Sequence, residues 1–502
     1  MKGATLLLPF FLLASANLLA QRTTLIQNVR IADGSGGPLI RGAVRIQDSI
    51  IIATGVLQPL PSDSIIDGKG QVLAPGFIDT HSHHFGDYDE DPSALATNSQ
   101  GITTIVIGQD GNSYAIDSIT AMLKKNPIAV NVATYSGHTS LREQVMGTDL
   151  LRPATTKEIE KMQQLLSVEM KKGSLGLSSG LEYEDAFYSS TEEVIQLARV
   201  AADFKGSYAS HIRSEDVTLD AAIDEILTIG RLTKMPIQIS HIKIGIKDKW
   251  GTAQAILDRL NKARSEGIQV TADVYPYDFW SSTLRVLFPK RDYTNAASAE
   301  FATTHLFDPE HSVLVRYAPQ TSYVNKTVAS VARQRKESTP TTLLQLIAMA
   351  DSFKKANPTY AYGVEAIAAK AMTEEDVRTF VQWPMANICS DGRSGGHPRG
   401  FGSFPKILRH YVREKSELSL EQAIHKMTAL GAQHTGIKNR GLIKEGFFAD
   451  LVLLDPDLVS DRATLTEPTA LASGIETVWI NGRITYTGQR TTDQRPGIFV
   501  TR

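Results

Sequence analysis

The sequence predicts an α/β protein: a (β/α)8 TIM barrel with a small β-sandwich domain formed from both chain ends. Eight short apolar runs, most of them separated by a helix-bearing crossover, fill the middle of the chain. Alternating apolar stretches broken by Gly, Asp and Pro fill both ends. The 502 residues, 42% apolar and 21% charged, are enough for one barrel with additions. Lys+Arg at 52 and Asp+Glu at 54 leave a formal net charge of −2. Ordinary apolar content with so small a charge excludes a disordered chain, and there is no basic excess for nucleic acid. The lone cysteine, Cys389, makes no internal disulfide.

Residues 1–20, MKGATLLLPFFLLASANLLA, read as a secretory signal. Lys2 supplies the positive start, Leu6 to Leu13 an apolar run broken by Pro9, and Ala20 a cleavage point before Gln21. The run is short for a bilayer span, and no later segment is long and apolar enough for one. The expectation is an exported, periplasmic enzyme with no membrane span in the mature chain. A core this large tolerates the lack of disulfides there.

Residues 21–74 and 441–502 are the two β-rich pieces and would pair into one sandwich. Residues 75–440 form the barrel. Its strand candidates are GFIDTH, TTIVIG, AVNVATY, LGLSSG, GSYASH, IQISH, VTADVY and NICSD. Ser190 and Glu193 form an S-x-x-E capping box before the stripe Val194, Leu197, Ala198 and Ala201. Ile256, Leu260 and Ala263 form another stripe, which Gly267 ends. Residues 281–385 are too long for one crossover and predict an insertion over the active-site face.

The strand ends carry the chemistry. His81 and His83 form H-x-H after GFIDTH, and a spacing of two puts both imidazoles on one side of an extended chain. Two nitrogen ligands so placed suit Zn2+. GSYASH ends in His211, IQISH in His241, NICSD in Asp391 and TTIVIGQD in Asp110, and Glu182 follows LGLSSG. Solvated residues scattered by chance would not terminate apolar runs so regularly.

The ordered segments PGFIDTHSH at 75–83, GITTIVIG at 101–108, GHTSLR at 137–142, GLSSGLEY at 176–183 and SHIRSE at 210–215 complete the pattern. With them come ISHIK at 239–243, DVYPY at 273–277, SDG and HPR within 390–399, and RGLIKEGFFADLVLLDP at 440–456. Together they resemble the amidohydrolase superfamily, in its N-acyl-D-amino-acid deacylase (D-aminoacylase) branch. The resemblance implies hydrolysis of N-acyl-D-amino acids on a metal-bearing barrel. His81 and His83 would bind a first metal, and His211 and His241 a second. Asp391 would contact metal and act as general base, then acid, toward water and the departing amine; by itself it also reads as an N-cap before Gly392. Related deacylases often carry Cys where Asp110 stands, so Glu182 is the favoured bridge and Asp110 a supporting or alternative ligand, or a turn residue in D-G. The cofactor expected is Zn2+, one or two per chain, with other divalent metals open.

A carboxylate clamp for the small-molecule substrate would draw on Lys243, Tyr275, Ser281 and Arg399. His138 and Arg213, with Tyr88, Phe279 and Trp280, are further pocket candidates, and Cys389 reads as a buried structural thiol. Another amidohydrolase reaction, on dipeptides, cyclic amides or lactones, is one alternative. A catalytically inactive exported binding protein is the alternative of a different class. Exposed sandwich edges leave room for a homo-oligomer.

Overall fold

The computed structural model describes residues 22–360 and 363–502, so the leader read at residues 1–20 lies outside it. The eight expected middle strands form as Phe77–Asp79, Ile102–Ile107, Asn131–Thr134, Gly176–Gly180, Ser207–His211, Ile237–Ile239, Val270–Val274 and Ala386–Ile388. They lie in two parallel arcs, the first three strands in one and the rest in the other. The arcs meet at both ends. Asn131–Thr134 runs on through Tyr135 into Ser136–Gly137, which pairs with Gly176–Gly180. At the other junction Ser82 bridges Gly392 in parallel, and Asp391 N donates to His81 O at 2.8 Å. Strands covered on both faces read as unbroken apolar runs, and every residue of Ile102–Ile107 is buried.

Helices cover these strands. In Thr191–Asp203 the residues Val194, Leu197, Ala198 and Ala201 are buried, as their spacing predicts. Ser190 Oγ accepts from Glu193 N at 3.1 Å, but the reciprocal half of the expected capping box is missing. The Glu193 carboxylate instead accepts from Arg142 Nη1 at 2.6 Å and faces His138 Nε2 at 2.9 Å, because a buried guanidinium with an imidazole beside it outbids one backbone N–H. Helix Ala253–Ser265 buries Ile256, Leu260 and Ala263.

Both chain ends share one nine-stranded sheet. Its central seam pairs Val72–Pro75 with Leu451–Leu454 antiparallel. Ile26, Val44, Leu73, Leu451 and Trp479 pack together on it. The insertion carries a three-stranded antiparallel sheet of Phe279–Ser282, Val313–Tyr317 and Glu365–Lys370, with helices Val328–Arg335 and Thr339–Ala356. Leu284, Leu314, Tyr317, Leu346 and Ile367 give it a core of its own. The expected bounds of 281–385 overshoot. Helix Glu374–Gln382 turns Val377, Phe380 and Val381 inward and packs on Ala253–Ser265 and Val270–Val274, as a crossover helix does. No helix among the described residues is long and apolar enough to cross a membrane.

Candidate metal centre and active site

Six of the parallel strands deliver an acidic or imidazole group to one place. His81, His83, Asp110 and Asp391 offer ligand atoms within 4.8 Å of one another, and so do Asp110, His211 and His241. Asp110 belongs to both groups: its Oδ1 lies 3.5 Å from His81 Nε2 and 3.4 Å from His241 Nε2, and its Oδ2 lies 3.4 Å from His83 Nε2. Asp391 Oδ1 is 3.2 Å from His83 Nε2. Glu182 stands to one side, 2.8 Å from His211 Nε2, in a third group with Glu215. Asp110 thus lies between the two imidazole pairs, whereas Glu182, expected as the bridge, faces the imidazole of His211 and accepts from Glu215 N at 3.4 Å.

The backbone is bent to make this possible. Asp110, His241 and Asp391 take φ of +57°, +35° and +48°, a region that costs non-glycine residues energy and collects at functional sites. Two buried carboxylates brace the strand ends. Asp273 Oδ1 accepts from His241 N at 2.5 Å, and Asp79 accepts from Ser390 N at 2.8 Å.

The electrostatics call for a cation. Both ring nitrogens of His81 and Oδ1 of Asp110 are buried without a hydrogen-bond partner, a costly state for polar atoms unless something else satisfies them. Burial and the Lys243 ammonium both oppose charge on His241, yet Glu215 and Asp110 lift it to about 10. Burial alone would raise Asp391, but Arg399, then His81 and His241, hold its carboxyl well below the usual range. A surplus of anionic oxygen among imidazole nitrogens is the donor set that zinc takes.

The family model described as "Amidohydrolase family" matches residues 64–311 and 390–486. The chain belongs to the amidohydrolase family. It is 34% identical to an N-acyl-D-glutamate deacylase of Alcaligenes xylosoxydans xylosoxydans, over 94% of this chain and 95% of that protein. It is 33% identical to an N-acyl-D-aspartate deacylase of the same organism, over 95% of each. A crystal structure of D-aminoacylase superposes with a TM-score of 0.84 at 29% identity, over 95% of this chain and 99% of that one. An N-acyl-D-glutamate deacylase from Bordetella bronchiseptica, complexed with zinc and a phosphonate inhibitor, gives 0.83 at 31% identity over the same shares.

In this amidohydrolase the cluster opens into a cavity of about 490 Å3, the size of a small-molecule site. Tyr275, Ser281, Trp280, Lys243 and Arg399 line it as expected. The two cations are not free, however. Lys243 Nζ donates to Glu215 at 2.7 and 2.8 Å and lies 2.6 Å from His241 Nδ1. Arg399 Nη1 donates to Asp391 Oδ2 at 2.6 Å, with its guanidinium over the Tyr275 ring. Three expected pocket residues lie elsewhere. His138 is buried against Glu193, where burial pushes its imidazole toward the neutral form. Arg213 clasps Glu225 with two bonds of 2.8 Å. Tyr88 is buried facing Thr97. Phe279 serves indirectly: its ring lies 4.5 Å from that of His397, whose Nδ1 accepts from Arg399 N at 3.0 Å. Cys389 is a buried thiol that donates to Asp273 at 3.3 Å. Glu215 and Asp273 went unread in the sequence, although SHIRSE and DVYPY contain them.

Proposed function

We propose that this chain is a metal-dependent hydrolase that cleaves the amide bond of N-acyl-D-amino acids to a carboxylate and a D-amino acid. The observation that carries this is the cluster of four imidazoles around Asp110 and Asp391, in a chain similar along nearly its whole length to deacylases of that class. The two parallel arcs, joined at both ends, support one closed (β/α)8 barrel over residues 75–440. The nine-stranded sheet supports a small sandwich made of residues 21–74 and 441–502. The leader-like residues 1–20 support export to the periplasm, and the exposed sheet edges leave a homo-oligomer open.

His81, His83 and Asp391 would hold one divalent ion, His211 and His241 another, with Asp110 shared. Zinc so held would supply Lewis-acid polarisation of the amide carbonyl and a more acidic water. The remaining steps belong to the chain. Arg399 keeps Asp391 anionic and occupies Oδ2, which leaves Oδ1 to take a proton from the attacking water. Asp391 then returns that proton to the departing nitrogen, which would otherwise have to leave as a strongly basic amide anion. Glu215 orients His241 through Nδ1 at 3.0 Å, and Lys243 neutralises Glu215. The Tyr275 hydroxyl, buried without a partner beside Arg399, and Ser281 would receive the substrate's α-carboxylate.

The test is metal analysis of the purified protein with a paired assay on N-acetyl-D- and N-acetyl-L-amino acids. Zinc near one or two per chain with D-selective amine release is expected. Bound metal without hydrolysis of either enantiomer would overturn the substrate assignment.

A further inference from the structure

The guanidinium that holds Asp391 Oδ2 at 2.6 Å belongs to the first residue of helix Arg399–Lys406. A helix start leaves its first N–H groups without intrahelical acceptors, and a polar side chain at the cap usually supplies one. Here the cap position is Pro398, which has no side-chain acceptor to give. His397, one residue earlier, supplies it instead: its Nδ1 accepts from Arg399 N at 3.0 Å. Its Nε2 faces the Phe279 carbonyl at 3.1 Å. A carbonyl only accepts, so Nε2 carries the ring proton and Nδ1 keeps a lone pair for Arg399. Burial, and then the Arg399 charge, pull the imidazole well below its ordinary range and keep it neutral. The ring is wedged in place: Phe279 lies over it at 4.5 Å, and Tyr277 and Tyr275 meet it edge-on at 5.3 and 6.4 Å. His397 lines the cavity, but both of its nitrogens are engaged within the protein, so it has none to offer a substrate. Phe279 opens the insertion strand Phe279–Ser282, which carries Ser281. One ring therefore ties the helix of Arg399 to the strand of Ser281.

We propose, on the deacylase reading, that His397 is a positioning residue for the hydrolysis. By capping the helix that Arg399 opens, it fixes the guanidinium on Asp391 Oδ2 and so keeps Oδ1 aimed at the attacking water. Displacing a group so close to the chemistry by about 1 Å is worth about 100-fold in rate.

Three variants separate the two bonds of the ring. His397→Asn keeps an acceptor near the place of Nδ1 and gives up the bond to Phe279. His397→Gln keeps a donor near the place of Nε2 and gives up the cap. His397→Phe keeps the bulk and gives up both. On the N-acetyl-D-amino acid that the wild type cleaves, kcat/KM should fall about 10- to 100-fold in His397→Phe and His397→Gln at unchanged zinc content, and His397→Asn should recover most of the loss. In an Arg399→Gln background the Phe and Gln replacements should cost nothing further, because they act through a group that is gone. No loss, equal loss in both backgrounds, or recovery by Gln and not by Asn overturns the proposal. Crystal structures read the same effect without a substrate: Arg399 should leave Asp391 in His397→Phe and His397→Gln and stay on it in His397→Asn. A guanidinium unmoved in His397→Gln overturns the proposal even where the Phe variant fails to fold. If the wild type cleaves no N-acyl-D-amino acid, the deacylase reading fails, and the structures still decide the role of His397.

Discussion

Asp110 touches the imidazoles of both pairs, whereas Glu182 touches one imidazole of one pair, and that difference can be weighed. Asp110→Ala should strip more metal from the protein than Glu182→Gln, read by elemental analysis after dialysis. Equal losses would return Glu182 to the bridging place. Asp391→Asn keeps the side chain's shape but removes its basicity, so kcat should fall by about 10^2- to 10^4-fold, the usual worth of a general acid–base group. An unchanged circular dichroism spectrum would separate that loss from misfolding. The candidate metal ligands are legible in the sequence because they end or closely follow apolar runs, where a parallel strand opens toward the site. Which carboxylate is shared is not legible, because it depends on the left-handed turn at Asp110, and a D-G pair announces a turn without saying where its side chain aims. Lys243 and Arg399 read as free clamps for a similar reason: their partners, Glu215 and Asp391, lie on other strands or across a loop.

At the scale of one helix, Glu193 shows how a local signal is overruled. Its position three residues after Ser190 signals the start of Thr191–Asp203, and the helix starts there. Its carboxylate, though, is fully buried between Arg142 and His138, and these draw it down to about 2 from its ordinary 4.5 against the opposing effect of burial. A carboxylate whose folded pKa is depressed stabilises the fold above its unfolded pKa and loses that contribution as pH falls toward the folded value. The stability it supplies should therefore be complete above about pH 4.5 and fade between there and about 2. Glu193→Gln leaves Arg142 buried without a counter-charge and should cost about 3–5 kcal/mol at neutral pH. Urea midpoints from pH 7 to 3 check this, because the gap between wild type and variant should narrow on acidification. A constant gap would assign the cost to packing alone. Sequence spacing recorded the cap and missed the competition, since Arg142 and His138 arrive from a helix about fifty residues earlier.

At the scale of the whole molecule, pairing of the two chain ends is visible in composition, because both carry the same alternating pattern. What fastens them to the parallel strands of the middle is not visible, since it is one buried carboxylate with partners scattered along the chain. Asp450 Oδ2 accepts from Arg440 and from Asn131 Nδ2 at 3.1 Å, and its Oδ1 accepts from Asn481 N at 2.8 Å. Its carbonyl accepts from Gly76 N, at the point where the sheet strand Val72–Pro75 passes into the first parallel strand, Phe77–Asp79. One residue thus joins both halves of the sheet to two strands of the first parallel arc. Asp450→Asn keeps the size but leaves the Arg440 guanidinium, itself 4% exposed, without its counter-charge. The expected cost is about 3–5 kcal/mol, the price of breaking a buried pair from one side. The signal of Trp479 in the sheet and the hydrolytic activity of the site should then be lost together at a lower urea concentration. Adding Arg440→Met should restore part of the loss, because an apolar replacement no longer buries an unpaired charge. If Asp450→Asn leaves the midpoint where it was, or separates the two signals, the clasp is not what holds the sheet to the parallel arcs.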